Sequence, residues 1–191
     1  MKPICLIFLW LALSCACSRS TEPVDLAVAR DLAVLDTLGW LDGQEGFLML
    51  MEEPQLSFSL VQHSKDEESA IEVLGMRFPS ASPDLLERVI SQDGINVGKQ
   101  VPSTSPQLQL FPSERIKEIP EGSQFSTIQR EFPGCAGLIW TTPVVFSEEQ
   151  NQAIVKFSWY CGPTCGSAHI VLLERTGEVW SVVQSECTAV L

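Results

Sequence analysis

The sequence predicts an α+β fold in which N-terminal helices pack on one face of a C-terminal four-stranded antiparallel meander. Apolar residues recur at helical spacing in the first two thirds of the chain, whereas the last third consists of β-rich runs. The connections between those runs are too short to cross over a sheet, so neighbouring strands must be antiparallel. Helices followed by a meander are typical of an α+β domain with its helices on one face.

Helical patterns come first in the chain. Residues 24–38 carry valine and leucine at every third or fourth position, so they predict a helix there, with Gly39 or Gly43 as its stop. Residues 82–94 give the strongest signal, because Ser82 is a good N-cap residue and Pro83 suits the first helical turn. Shorter helices are predicted in PSERIKEI (112–119) and SQFSTIQREFPG (123–134).

The segments between these helices have other patterns. FLMLM (47–51) and QLSFSLV (55–61) are short and apolar, so both are predicted as strands. HSKDEES (63–69) is predicted as a charged loop, and the Pro- and Ser-rich stretch at 101–106 as a second loop.

The predicted meander occupies the last third of the chain. Its runs are GLIWTTPVVFS (137–147), AIVKFSWYC (153–161), AHIVLLER (168–175) and VWSVVQSEC (179–187). In the second run Val155 and Phe157 share one face, while Lys156 and Ser158 share the other. This alternation predicts a half-buried antiparallel strand.

The first residues indicate export. Lys2 precedes an apolar segment at 4–13 that is too short to be a permanent membrane helix. The following Leu-Ser-Cys-Ala-Cys resembles the lipobox of bacterial lipoproteins, whose cysteine receives acyl chains such as palmitate. Cys17 is the first choice for lipidation and Cys15 the alternative; an ordinary cleaved secretory signal is a further alternative. The predicted organisation is a signal peptide at 1–17, cleaved before Cys17 or Cys15, a tether at 18–23 and one α+β domain at 24–191.

The charge pattern excludes some partners. The chain has a net charge of −12, and loss of Lys2 with the signal peptide makes it −13. No cluster of lysine and arginine is present, which argues against nucleic acid and against electrostatic membrane docking. We therefore expect membrane attachment through the N-terminal lipid, at the outer membrane or facing the periplasm of a bacterial cell envelope, with a secreted protein as the alternative.

Four cysteines remain after the signal region, namely Cys135, Cys161, Cys165 and Cys187. An even number in an oxidising compartment predicts disulfides. Cys161 and Cys165 flank Gly-Pro-Thr between two predicted strands, where antiparallel partners lie within disulfide range. We predict a Cys161–Cys165 disulfide that fixes the register of the hairpin. Cys135 and Cys187 are then left, and their pairing is by elimination.

The same motif has two other interpretations. WYCGPTC approximates the Trp-Cys-Gly-Pro-Cys redox site of thioredoxin, but it has one residue more and precedes a predicted strand instead of a helix. Cys161, Cys165 and His169 are spaced by four, which would bring them together as zinc ligands only on a helix. We therefore expect neither a metal nor another cofactor.

Catalytic motifs are also missing from the sequence. His63 and His169 are the only histidines, and neither belongs to a nucleophile elbow, a phosphate loop or a His-Glu-x-x-His motif. Acidic pairs such as Glu148-Glu149 lie in predicted turns, where solvation explains them. The sequence names no catalytic residue and favours a non-enzymatic role.

The last third resembles an uncharacterised family of exported bacterial lipoproteins. The features that carry the likeness are Phe132-Pro133-Gly134, then Gly137, then WYCGPTCGSAHIVLLE and TGEVW. The resemblance implies export, this fold and a Cys-Gly-x-x-Cys-Gly hairpin, and it implies no activity. This chain departs from the family in ending with Cys187, where members frequently have Trp-x-Ser.

Three functional hypotheses follow from these patterns. The favoured one is a lipid-anchored, non-enzymatic binding or structural module that contacts an envelope protein or glycan through its sheet or its hairpin. The second is an envelope thiol–disulfide protein that uses Cys161 and Cys165. The third is a hydrolase with acidic residues in a cleft between helices and sheet.

Overall fold

The structure is a computed structural model that describes residues 23–39, 46–52, 66–91, 102–120 and 122–190. The helices are α1 (Pro23–Thr37), α2 (Glu67–Arg77), α3 (Pro83–Ser91), α4 (Ser113–Lys117) and α5 (Gln124–Glu131). The strands are β1 (Phe47–Met51), β2 (Leu108–Phe111), β3 (Cys135–Thr141), β4 (Val145–Phe146), β5 (Gln152–Gly162), β6 (Cys165–Thr176) and β7 (Val179–Val190). Of the helices in the described ranges, none has both the length and the apolar character needed to cross a membrane.

The strands of the described residues form one mixed sheet of seven strands. Their order is β2-β1-β3-β5-β6-β7, and the short β4 pairs with β5. β1 runs parallel to β2 and to β3, whereas the remaining pairs are antiparallel. The longest ladder joins β5 and β6, from Gln152 opposite Glu174 to Gly162 opposite Cys165.

The predicted four-stranded antiparallel meander is therefore wrong as a description of the sheet. Strands β3, β5, β6 and β7 do pair antiparallel in chain order, but parallel strands β1 and β2 extend the sheet beyond β3. The short connections in the last third determine only how the strands of that third pair with each other. They do not determine whether strands from earlier in the chain join the same sheet. Only four residues form β2, directly after the predicted Pro- and Ser-rich loop, so no strand was expected there.

Helices cover both faces of the sheet, and the prediction of one helical face is also wrong. Alternate residues of β1 show this, because Leu48 packs with α1 whereas Met49 packs with Ile128 of α5. In β5 the same alternation places Val155 in the cluster around α1 and Ile154 in the cluster around α2 and α3. A strand covered on both sides needs apolar residues at successive positions, as in FLMLM.

The polar face predicted for the second β-rich run is covered as well. Lys156 in β5 is only 5% exposed. Polar and apolar residues alternate around it in the sequence, and this alternation had predicted that Lys156 would face solvent. The prediction of a half-buried strand fails here, because helices from the middle of the chain lie on that side of the sheet.

The predicted helices are confirmed, and one further helix was missed. α3, α4 and α5 lie within the segments that carried helical patterns, and α1 begins one residue before the predicted segment 24–38. α2 begins where a charged loop was predicted, because Asp66 caps it by accepting a hydrogen bond from the Ser69 amide at 2.8 Å, and Glu67 and Glu68 suit its first turn. The signal region, the strand predicted at 55–61 and His63 lie outside the described residues.

Candidate functional site

The hairpin between β5 and β6 brings Cys161 and Cys165 together. Their Cα atoms are 5.1 Å apart, and their sulfur atoms lie at disulfide distance. The ladder is irregular between Tyr160 and Gly162, so Cys161 bulges out beside the closing pair Gly162–Cys165. Gly162 has a φ of 145°, a conformation that L side chains rarely adopt, and the turn depends on a glycine there.

The tip of this hairpin also rests on α5. The ring of Phe125 would lie 4.0 Å from a Cβ atom at Gly162, and it packs edge-on against Tyr160 with ring centroids 5.9 Å apart. The tip residues beyond this contact, Pro163 and Thr164, are exposed. The hairpin end is therefore held by a cysteine pair and by an aromatic contact, and it presents a short turn to solvent.

On the other face of β5, Trp159 lies across strand β3. A Cβ atom at Gly137 would be 2.1 Å from Trp159 Nε1 and 3.2 Å from the Tyr160 carbonyl oxygen. The absence of a side chain at Gly137 thus leaves the space that the indole of Trp159 occupies. The indole N–H is buried and has no hydrogen-bond partner among the described residues.

His169 lies on the same face as Trp159, in the neighbouring strand β6. Its ring stacks on Phe157 with centroids 5.0 Å apart, and Nε2 lies 2.8 Å from Ser167 Oγ. Its Nδ1 atom is buried and has no partner in the described ranges. Burial lowers the pKa of His169 below its ordinary value, which favours the neutral imidazole. These contacts are those of a packed strand residue.

The structure does not form the predicted Cys135–Cys187 pair. Neither residue is bonded to another described cysteine. Cys135 is buried in β3, and Cys187 is exposed in β7. Two strands, β5 and β6, separate them, so the distance between them exceeds what a disulfide spans. Elimination failed because a left-over cysteine can be buried as a small apolar residue.

A zinc site involving these residues is not assembled either. Cys161 and Cys165 face each other across the turn, whereas His169 lies further along β6, opposite Cys187 of β7. Within the described residues no group of three histidine, cysteine, aspartate or glutamate side chains is placed to hold a metal ion.

A buried polar network in α1 was not foreseen from the sequence. Arg30 and Asp31 form an ion pair with 2.6 Å between Nη2 and Oδ1, and both side chains are at most 5% exposed. The second carboxylate oxygen accepts hydrogen bonds from Ser103 Oγ at 2.7 Å and from the Thr104 amide at 2.7 Å, with further donors from Thr104 Oγ1 and the Ser105 amide. Asp31 thereby ties α1 to the loop that leads into β2.

A cleft of about 300 Å³ lies between α4 and α5. Arg115 of α4 and Arg130 of α5 contribute cations to its lining, and Glu118 and Glu131 contribute carboxylates. Ile119 and Pro120, which connect the helices, add apolar surface. No sequence pattern indicated this cleft, because its charged residues belong to two short helices and the connection after α4, and only the packing of those helices brings them together.

Arg115 contacts two aromatic rings and a carboxylate in this cleft, and its side chain is 50% exposed. Its guanidinium carbon lies 5.6 Å from the ring centroid of Phe111 and 5.5 Å from that of Phe132, and those two rings meet edge-on. Its Nη2 atom donates to Glu131 Oε2 at 2.6 Å. Two aromatic rings and one carboxylate therefore favour one orientation of this exposed guanidinium.

Comparison with protein-family models, with curated proteins and with solved structures finds no match to this chain. The resemblance to exported lipoproteins accordingly rests on the sequence motifs alone.

Proposed function

We propose that this protein is a lipid-anchored component of a bacterial cell envelope that acts as a non-enzymatic binding module, and that the tip of its β5–β6 hairpin is the contact element. The observation that carries the proposal is a tip that is fixed at its base and exposed at its end. Cys161 and Cys165 lie at disulfide distance there, while Pro163 and Thr164 are exposed.

A fixed tip suits recognition for a thermodynamic reason. Binding costs conformational entropy when a loop must be ordered, and a loop that is already ordered avoids that cost. The cysteine pair, the stiff ring of Pro163 and the contact of Tyr160 with Phe125 all restrict the loop before a partner binds. Exposed loops on a rigid scaffold are also where proteins most often place binding residues.

The lipid anchor is supported by the N-terminal sequence. A short apolar segment precedes Leu-Ser-Cys-Ala-Cys, and a polar tether follows Cys17. Two or three acyl chains hold a protein stably at a membrane, whereas a single chain gives marginal binding. The mature chain is strongly acidic, so the lipid, and not charge, is the attachment that this proposal requires.

Metabolic labelling with a radioactive or clickable fatty acid tests the anchor. We expect label on the wild-type chain and none on the double variant Cys15→Ser/Cys17→Ser. A double variant that is labelled as strongly as wild type would overturn the lipid attachment.

Photo-crosslinking in intact cells tests the contact element. A photoreactive phenylalanine replaces Thr164 at the hairpin tip, and the matched control carries it at Thr176, an exposed residue at the opposite end of β6. We expect a discrete crosslinked product at Thr164 that is absent at Thr176. Equal products at both positions, or none at Thr164, would contradict a role for the tip.

The alternative function, thiol–disulfide exchange through Cys161 and Cys165, has one observation in its favour: Cys165 is exposed and therefore open to attack. Its test is the reduction potential of the pair. A pair that equilibrates with glutathione buffers would support exchange chemistry, and a pair that resists them would support the binding module.

A further inference from the structure

We infer that the cleft between α4 and α5 binds a small zwitterion of the free amino acid class, with an apolar side chain. This names a ligand for the binding module and so rests on the proposed function being one of binding. The hairpin tip and the cleft are separate surfaces, so each can be tested without the other.

The carboxylate of such a ligand has two partners in the cleft. Arg115 is oriented by two aromatic rings and by Glu131, and that single ion pair uses only one of its five N–H donors. Arg130 faces the same cleft and makes no ion pair with a described residue. A planar guanidinium that is already oriented is the best protein partner for a carboxylate.

The ammonium group of the ligand has partners of opposite charge. Among the described lining residues, Glu118 and Glu131 lie beside the two arginines; Glu131 is already paired with Arg115, which leaves Glu118 as the carboxylate available to the ammonium group. The described lining residues carry as many negative as positive charges, and this balance in a strongly acidic protein disfavours a multiply charged anion such as phosphate. A molecule that carries one charge of each sign matches this lining.

The size and the apolar wall restrict the rest of the ligand. A volume of about 300 Å³ is at the lower end of the ~300–1,000 Å³ that small-molecule sites span. Ile119 and Pro120 place apolar surface at the turn between the helices. A small aliphatic side chain can pack on this surface, whereas an acidic side chain would bring an additional negative charge to a strongly acidic protein.

The test is calorimetric titration of the full mature chain, purified in mild detergent, with leucine, N-acetyl-leucine, leucinamide, glutamate and sulfate. We expect leucine to bind. We expect each blocked derivative to bind about tenfold or more weakly, because each lacks one charge-assisted hydrogen bond. We expect glutamate to bind more weakly than leucine, because its net negative charge is disfavoured by a strongly acidic protein.

Variants locate the binding. Arg130→Gln removes an exposed side chain with no ion pair among the described residues, so it leaves the fold intact and is expected to weaken leucine binding about tenfold or more. Arg115→Gln is also expected to weaken leucine binding. If Arg115→Gln disturbs the packing of the aromatic rings, Arg130→Gln is the variant that tests whether the cleft binds leucine. The matched control is Arg88→Gln, an exposed arginine on α3, which is expected to leave the affinity unchanged.

Three results would overturn the inference: no binding of leucine at millimolar concentration, sulfate binding as tightly as leucine, or leucine binding that survives Arg130→Gln. If leucine does not bind but Thr164 forms a crosslink, the proposed binding module is retained and this ligand is rejected. If leucine binds but Thr164 forms no crosslink, the hairpin tip is rejected as the contact element and the cleft is retained as a ligand site.

Discussion

Removal of the cysteine pair in Cys161→Ser/Cys165→Ser should lower the free energy of unfolding by about 2 kcal/mol. The two residues are separated by four positions in sequence, so the bond closes a ring of only a few residues. The loop-entropy relation gives ~2 kcal/mol for a ring of this size, compared with ~4.7 kcal/mol for a ring of about 100 residues. The fold should survive, because the long β5–β6 ladder and the contact with Phe125 do not depend on the bond.

Urea denaturation of oxidised wild type and of the double variant measures this difference. For a domain of this size, a loss of ~2 kcal/mol corresponds to a fall of about 4–8 °C in the melting temperature. Cys187→Ser provides the control, because Cys187 is an exposed free thiol and its loss should change stability by less than about 0.5 kcal/mol.

Two outcomes would refute this reasoning. If the double variant is as stable as wild type, the two cysteines are not bonded in the native protein or the bond is strained enough to cancel its benefit. If the variant loses more than ~4 kcal/mol or does not fold, then the bond holds far more of the structure than a short ring explains.

Three further predictions concern the sheet and its thiols. Gly137→Ala should cost about 1–3 kcal/mol in urea denaturation, because the new Cβ would overlap Trp159 Nε1, and Trp159→Phe should remove part of that cost. In native protein, maleimide should label Cys187, which is exposed, whereas Cys135, whose burial raises its thiol pKa, should react only after unfolding, as mass spectrometry would show. Because burial lowers the folded-state pKa of His169, the unfolded chain takes up the proton first. Its contribution to stability is therefore present above about pH 6.5 and lost on acidification toward the lowered pKa, so His169→Phe should flatten the pH dependence of the melting temperature.

Each of these predictions has a control or a contrary result. Gly75→Ala lies within α2, where a Cβ has room beside Leu86 Cδ1 at 3.4 Å; it should be neutral or stabilising, in contrast to Gly137→Ala. Rapid labelling of Cys135 in the native protein would contradict its burial in β3. A pH profile that is identical in wild type and His169→Phe would show that His169 titrates as freely in the folded chain as in the unfolded one.

Most of the helices and strands could be predicted from patterns within single segments of the sequence. Helix α3 was visible because Ser82, Pro83 and the spacing of its apolar residues act within one segment, and the hairpin was visible because Gly162 and Pro163 lie between two β-rich runs. Pairing between distant segments was not visible. β1 had the composition of a strand, but nothing in FLMLM specifies that it runs parallel to β3, 88 positions later, as Phe47 opposite Cys135 does.

The same limit applies to buried polar groups and to sites made by packing. Asp31 interrupts an apolar helix and has the pattern of a solvent-facing residue, yet residues 103–105 fold over it and supply its hydrogen bonds. Arg115 and Arg130 are ordinary charged residues of two short helices until those helices pack side by side. The disulfide of the hairpin could be inferred from the sequence because both cysteines flank one turn. Whether Cys135 could pair with Cys187 depended on which strands are neighbours in the sheet, and the sequence does not show that.

Thiol counting by mass spectrometry on protein taken from the native envelope tests the closed hairpin tip most directly. We predict that the peptide containing Cys161 and Cys165 is recovered fully oxidised, with the two linked to each other, and that it stays oxidised in a mild reductant that leaves Cys187 available to alkylation. Recovery of both residues as free thiols, or their ready reduction, would contradict a fixed tip and would favour thiol–disulfide exchange instead.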